Sequence, residues 1–199
     1  MKELLVKITV VLFIMSCLFQ FSCNDNPLRP VDSNDFIAEE DFSFLLDLAG
    51  QTSLRLEGIS GAITIIGRAD FDSMIIAGTM RVGSELIEDA EEHLRYLDVE
   101  VRERTGEIFV KTVQPQDSNG RSYIVDYNII MPEDFASIVT NVNGCVTIDS
   151  TTGGISAENV NGQIYLNEVT SSASVSLVNG QIAATMFLTP GIGAFPCAT

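Results

Sequence analysis

The chain has 199 residues, and its 11 Lys and Arg against 27 Asp and Glu give a formal net charge of −16. This charge excludes a nucleic-acid partner, because phosphate binding needs a positively charged footprint, and solubility is its simplest explanation. His93 is the single histidine and Trp is absent, so few side chains remain for a metal site or for histidine-based catalysis. We therefore predict no catalytic residue, no metal and no cofactor.

The first 22 residues have the pattern of an export signal. Two lysines precede an almost wholly apolar run, residues 8–22, which is shorter than the about 20 residues that a membrane-spanning helix needs. Segment 1–22 ends at Ser-Cys and resembles a bacterial lipoprotein signal, in which the cysteine becomes the lipidated first residue of the mature protein. Cys23 is the predicted lipidation site because the hydrophobic run ends there. Cleavage at Cys17 and ordinary signal cleavage remain alternatives.

The polar segment 23–41 is expected to be a tether, because it contains prolines and acidic clusters but little periodicity. The predicted partner at this end is a membrane, bound through the lipid anchor. The expected location is the bacterial cell envelope, at the outer membrane or facing the periplasm. In such an oxidising compartment Cys145 and Cys197 have the opportunity to form a disulfide, but two unpaired thiols fit the spacing equally well.

The domain predicted over 42–186 contains strands and one helix. Alternating apolar residues predict strands over 71–82, 98–102, 107–113 and 123–131. A helix is predicted over 84–96, with Ser84 as its N-cap, because four apolar residues recur at helical spacing: Leu86, Ala90, Leu94 and Leu97. The acidic side chains on the rest of this helix, Asp89 among them, are expected to face solvent, and His93 is expected at the surface or at its boundary.

A Val-Asn-Gly triplet recurs three times at a spacing of 18 residues, at 142–144, 160–162 and 178–180. The columns agree beyond the triplet, since Val146, Ile164 and Ile182 occupy equivalent positions. A looser copy of the pattern, 59–65, matches 142–148 in the character of its side chains.

Two structures use such a pattern. Asn-Gly between alternating apolar residues is typical of a tight hairpin, so an antiparallel meander is one interpretation. A meander gives no reason for identical residues to recur in one column, whereas stacked parallel strands, about 4.8 Å apart, place equivalent residues side by side. We therefore predict an all-β fold, a single-stranded β-solenoid with 18-residue rungs and one inserted α-helix.

The residues of the triplet are predicted to have structural roles in that stack. The asparagines are expected to form an amide ladder at a corner, and the glycines to supply the turn: Asn143, Asn161 and Asn179, with Gly144, Gly162 and Gly180. The valines are expected to form an internal aliphatic row: Val142, Val160 and Val178. After this repeat the pattern fades, so 187–199 is predicted to be an atypical cap or a truncated end.

The motifs of the domain resemble those of a bacterial adhesin-like family of β-solenoid domains. The resemblance covers 42–186 and depends on three segments: LRLEGISGAITIIG at 54–67, YIVDYNIIMPEDF at 123–135 and TNVNGCVTID at 140–149. It implies an exported or surface-facing interaction module that is not an enzyme, with an envelope protein or a glycan as ligand. It transfers no catalytic residue, because the family is not known for a shared chemistry.

The alternative function is a carbohydrate-active enzyme acting on envelope or extracellular polysaccharide. Asp149 and Glu168 are its candidate carboxylates. Hydrolysis at a sugar uses two carboxylates about 5 to 9 Å apart, so this alternative requires that acidic side chains converge in an outward groove.

Overall fold

The computed structural model describes residues 34–187, which form ten strands and one helix. The strands are β1 Phe36–Asp47, β2 Ser53–Glu57, β3 Ile63–Arg68, β4 Ser73–Ser84, β5 Asp98–Arg104, β6 Glu107–Val113, β7 Ser122–Pro132, β8 Ala136–Asp149, β9 Ile155–Val169 and β10 Ala173–Met186. The helix α1, Ile87–Leu94, lies between β4 and β5. No helix within 34–187 is long and apolar enough to cross a membrane.

The prediction of a single-stranded β-solenoid with regular 18-residue rungs is wrong. The fold is all-β with one helix, but its strands form one mixed sheet that curls into a half-barrel. The strand order is β1-β4-β7-β3-β8-β2-β6-β5, with β9 and β10 added beyond β8. β4 pairs antiparallel with both β1 and β7, and β5 pairs antiparallel with β6. The exact 18-residue repeat lies in β8, β9 and β10, so it places no constraint on the antiparallel pairs that β4 and β5 form.

The three repeated segments pair in parallel, so the antiparallel meander is wrong for them. β8 pairs with β9 and β9 with β10, each in a register that joins residues 18 apart over most of the strand. The looser front copy joins the same stack, because β2 lies beside the first half of β8 and β3 beside the second half. Ile63 is there the partner of Val146, and Ser60 forms an isolated bridge with Asn143.

Strands β8 and β9 each bend near the middle, and we call the halves before and after the bend the two arms of the strand. Both arms contribute side chains to one core. In β8, Val139 and Asn141 point inward, and so do Val146 and Ile148. The first pair has odd residue numbers and the second pair even ones, so one alternation cannot contain both. The side-chain alternation therefore changes phase across 142–144, which lets both arms face the same interior. The core contains the inward residues of both arms together with Tyr127, Ile129 and Met131 from β7.

The same phase change turns the valine column outward. Val142, Val160 and Val178 are 40%, 38% and 70% exposed, so the prediction of an internal valine row is wrong. The inward column next to it is the one that begins with Val146 and Ile164, both fully buried.

The first strand and the helix begin at other residues than predicted. β1 begins at Phe36, inside the predicted tether 23–41, so Glu39, Glu40 and Asp41 of that segment lie in a strand. The helix begins at Ile87, so Ser84 is the last residue of β4 instead of an N-cap. The predicted signal 1–22, Cys23 and residues 188–199 of the predicted tail lie outside the described residues.

We predict that Gly162→Ala destabilises the domain by about 3 kcal/mol or more, because it combines a strained backbone with a steric clash. Gly162 has φ +128°, and a Cβ there would lie 2.0 Å from the carbonyl oxygen of Gly144. Urea unfolding followed by circular dichroism measures the loss.

Gly106→Ala is the matched control for this prediction. Gly106 has φ +77°, but an added Cβ would meet no atom within 4 Å, so only the backbone term of about 1 to 2 kcal/mol applies. Equal losses in the two variants would contradict a role for close strand approach.

Candidate functional site

The asparagines of the triplet form a hydrogen-bonded ladder along the outer side of the bend. Asn161 Nδ2 donates to Asn143 Oδ1 at 2.9 Å, and Asn179 Nδ2 donates to Asn161 Oδ1 at 2.9 Å. Asn143 Nδ2 in turn lies 3.4 Å from Ser60 Oγ on the front copy. These bonds use the amides to join neighbouring strands, so the ladder is a structural feature of the sheet.

The glycines form a second column, in which each backbone lies directly against the next. Gly144, Gly162 and Gly180 have φ of +135°, +128° and +144°, values that side-chain-bearing residues rarely adopt. They lie inside continuous strands, so they bend each strand instead of ending it. A Cβ on any of them would lie 2.0 Å or less from the glycine carbonyl oxygen of the preceding copy of the pattern.

Two buried asparagines support this bend from the inside, and the sequence analysis missed them. Asn141 and Asn159 are only 4% and 3% exposed. Asn159 Nδ2 donates to the Gly144 carbonyl at 2.8 Å, and Asn141 Nδ2 lies 3.4 Å from the Gly61 carbonyl. Each amide therefore binds the glycine carbonyl at a bend. Asn141 and Asn159 occupy equivalent positions of the repeat, but the third equivalent residue is Leu177. The position is therefore not polar in every copy, and the repeat alone did not indicate a buried amide there.

The two carboxylates of the enzyme hypothesis lie close together at the end of the second arm. The Ser150 hydroxyl oxygen lies 2.6 Å from Asp149 Oδ1, to which it donates, and 3.3 Å from Glu168 Oε2. Ser150 and Glu168 both have positive φ, +54° and +52°. Glu168 is exposed and Asp149 is half-buried, so water reaches this pair from outside.

A cleft beside α1 contains a bidentate ion pair. Arg121 makes a bidentate contact with Asp89, with Nε 2.6 Å from Oδ2 and Nη2 2.7 Å from Oδ1. The Ser84 hydroxyl donates to the same carboxylate. Asp89 was expected to face solvent, and that prediction is wrong because Arg121 arrives from a loop 32 residues later in the chain.

This contact determines the charge state of the cleft. The hydrogen bonds from Arg121 and then from Ser84 hold the pKa of the Asp89 carboxyl well below its usual range. The same contact raises the pKa of the Arg121 guanidinium. Burial raises the pKa of the Tyr123 hydroxyl. Near neutral pH the pair is therefore fully ionised, and its two charges face each other.

The cleft consists of two adjacent cavities, of about 330 and 240 Å³, which share Asn119 and Arg121 in their walls. The larger one lies between the end of β4, the start of α1 and the loop 119–121. We call the smaller one the aromatic cavity; the rest of its wall is formed by His93, Tyr96, Pro115, Asp117 and Tyr123. Aromatic and polar side chains thus face the same small volume.

The aromatic cavity has one exposed ring at its rim. Tyr96 is 50% exposed, whereas Tyr123 is 5% exposed. The His93 ring lies 5.6 Å from the Tyr96 ring, and its Nδ1 lies 2.8 Å from the Asp89 carbonyl. The expectation that His93 is a boundary residue agrees with its half-buried position. The sequence gives no sign that these rings meet Arg121, because they come from separate elements.

No group of three or more His, Cys, Asp or Glu within 34–187 is arranged to hold a metal ion. Cys145 is buried in β8. Its proposed disulfide partner Cys197 and the candidate lipidation sites Cys17 and Cys23 lie outside the described residues.

The comparisons with known proteins identify no family. No protein-family model matches the chain, and no curated protein matches it. A solved structure described as a "putative cell adhesion protein" from Clostridium sporogenes ATCC 15579 is similar at 10% identity and a TM-score of 0.44, over 75% of this chain and 100% of that chain. A second, described as a "putative adhesin" from Parabacteroides distasonis ATCC 8503, is similar at 10% identity and a TM-score of 0.22, over 74% and 70%.

Both descriptions refer to adhesion, as the sequence resemblance does. At these TM-scores the two likenesses carry no argument about the fold or the function of this chain.

We predict that Asp89→Asn destabilises the domain at pH 7 and that its difference from the wild type shrinks as the pH falls below about 4. The folded-state pKa of Asp89 is lowered, so its stabilising effect is complete above the unfolded-state pKa of about 3.9 and is lost as the pH falls towards the folded-state value. Urea unfolding at pH 7, 4 and 2.5 measures this dependence.

Glu91→Gln, on the exposed side of the same helix, is the control and should change stability little at any of these pH values. A constant difference between Asp89→Asn and the wild type from pH 7 to 2.5 would contradict the assigned ion pair.

Proposed function

We propose that this chain is an exported, lipid-anchored module of the bacterial cell envelope that binds a glycan without acting on it. The observation that carries the proposal is the aromatic cavity, in which Tyr96 offers an exposed ring beside Asp117, Asn119 and Arg121. The proposed ligand is a sugar unit of an envelope polysaccharide or glycoprotein.

The chemistry of the cavity suits a sugar. A pyranose ring has apolar C–H faces that pack on an aromatic ring, and hydroxyls that need donors and acceptors around its edge. Asp117 supplies hydrogen-bond acceptors, Arg121 supplies hydrogen-bond donors, and the amide of Asn119 supplies one of each kind. The two cavities together have the volume of a site for a small ligand, since such sites begin at about 300 Å³.

The non-catalytic part of the proposal is supported by how the charged groups are used. The Asp89 and Arg121 charges are directed at each other, and Ser84 donates to the same carboxylate. The imidazole Nδ1 of His93 lies at a backbone carbonyl. These groups hold the shape of the cleft, which is the role of positioning residues in a binding site.

The alternative is a carbohydrate-active enzyme that uses Asp149 and Glu168. One observation favours it, because the Ser150 hydroxyl brings both carboxylates within hydrogen-bond distance of one atom. The general acid of such an enzyme usually needs a carboxyl group shielded from water, whereas Glu168 is exposed. We therefore favour binding over hydrolysis.

We predict that Tyr96→Ala weakens binding to envelope glycan fragments about fivefold to tenfold, because it removes one stacking surface. The full chain, purified in mild detergent, is titrated with fragments found by a glycan array. Tyr165→Ala is the matched control, since Tyr165 lies on β9 and its hydroxyl donates to Gln163.

Equal affinities of the Tyr96→Ala and Tyr165→Ala variants would contradict binding in the aromatic cavity. Release of new reducing ends from polysaccharide by the wild type, lost in Asp149→Asn, would instead support the enzyme.

We predict that Cys23→Ser abolishes metabolic labelling of the protein with a radioactive fatty acid in a bacterial host, whereas Cys17→Ser leaves it intact. The lipid is attached to the cysteine that becomes the first residue of the mature chain, and the hydrophobic run ends at Cys23. Loss of labelling in Cys17→Ser alone would place the lipidation site at Cys17. If neither the wild type nor the variants were labelled, the lipid anchor would be contradicted.

A further inference from the structure

The outer edge of β10 is an exposed edge strand without charge. Among residues 34–187, β10 pairs with β9 alone. Its 14 residues, ASVSLVNGQIAATM, include no Asp, Glu, Lys or Arg, in a chain whose net charge is −16. Long edge strands normally carry charges or prolines that prevent pairing with another chain. The edge of β10 has neither.

The other two ends of the strand order follow that rule. β5 has the sequence DVEVRER, so five of its seven residues are charged. β1 has the sequence FIAEEDFSFLLD and carries four acidic residues. The absence of charge is therefore specific to β10, and it marks this edge as the one able to accept a strand.

The column of inward residues is incomplete at this edge. Val146 and Ile164 are fully buried, but the equivalent Ile182 is 45% exposed. Val175 and Leu177 pack against the core and remain partly exposed. A strand laid on β10 would bury these side chains, as β9 buries their equivalents on β8.

The ladder defines which strand fits. Asn161 donates to Asn143 and Asn179 donates to Asn161, so within the described residues the Asn179 Oδ1 atom is left as an acceptor at the end of the ladder. A side-chain amide at the equivalent position of an incoming strand would continue it.

The glycine column restricts the sequence of an incoming strand more than the asparagine ladder does. A Cβ at Gly162 would lie 2.0 Å from the Gly144 carbonyl oxygen, and one at Gly180 would lie 1.6 Å from that of Gly162. By the same register, the residue that lies on Gly180 has no room for a Cβ. The incoming strand must therefore contain glycine at this position, directly after its asparagine.

We propose that the β10 edge binds an extended, uncharged strand of another polypeptide, parallel to β10, whose own Asn-Gly stacks on Asn179 and Gly180. Main-chain hydrogen bonds along β10 provide affinity, and the asparagine and glycine provide selectivity. This site is separate from the aromatic cavity, so it does not depend on glycan binding.

A synthetic peptide with the sequence of 173–186 is the probe, since it carries the required Asn-Gly at the correct place. Fluorescence anisotropy measures its binding to the full chain in mild detergent at physiological salt. A second peptide with the change G180A is identical in charge and length. We expect the first peptide to bind and the second to bind at least tenfold more weakly.

The protein side is tested with Asn179→Ala, which removes the end of the ladder at an exposed position. It should weaken binding of the first peptide, whereas Ser174→Ala on the same strand should not. Thermal unfolding of both variants verifies that the domain remains folded.

Three results would overturn the proposal. Equal binding of the two peptides would show that the glycine column does not select the strand. Absence of binding would show that the β10 edge does not accept a strand. Self-association of the full chain that the peptide reverses would show that a second copy occupies the edge instead of a different polypeptide.

Discussion

The close approach of backbones at the glycine column is the constraint on which the sheet depends. Each glycine of the column faces the carbonyl of its neighbour at a distance that admits no Cβ. This contact allows the long strands to bend at one place and still pair along both arms. The bend also changes the phase of side-chain alternation, so both arms of β8 and β9 face one core. The buried amides of Asn141 and Asn159 bind carbonyls at the same bend.

The repeated triplet was sufficient to predict which residues of β8, β9 and β10 lie side by side, because parallel strands in register bring equivalent residues together. It was not sufficient to predict which side chains point inward. Counted back from Val146, simple alternation places Val142 inside, but the intervening Gly144 has a positive φ and the phase changes there. The antiparallel half of the sheet has no internal repeat, so nothing local indicated that β4 pairs with both β1 and β7.

The cleft beside α1 shows a second kind of feature that could not be predicted from the sequence. Helical periodicity predicted a helix near Ala90, and this residue is indeed buried. The acidic residues of that helix look alike in the sequence, yet Asp89 alone among them meets Arg121 in a bidentate contact. That contact requires the loop before β7 to fold back over α1, which is a property of tertiary structure. Aromatic residues such as Tyr96 and Tyr123 gain their common role in the same way.

The 18-residue register also restricts how the gene for this domain can change in length. Loss of one complete unit, such as 156–173, would place the residues of β10 where those of β9 now lie, with every glycine still opposite a glycine. Loss or gain of an odd number of residues would turn the inward side chains of one arm to water. Within strands β8, β9 and β10, an insertion or deletion therefore keeps both the inward side chains and the glycine column in place only when it spans a whole unit.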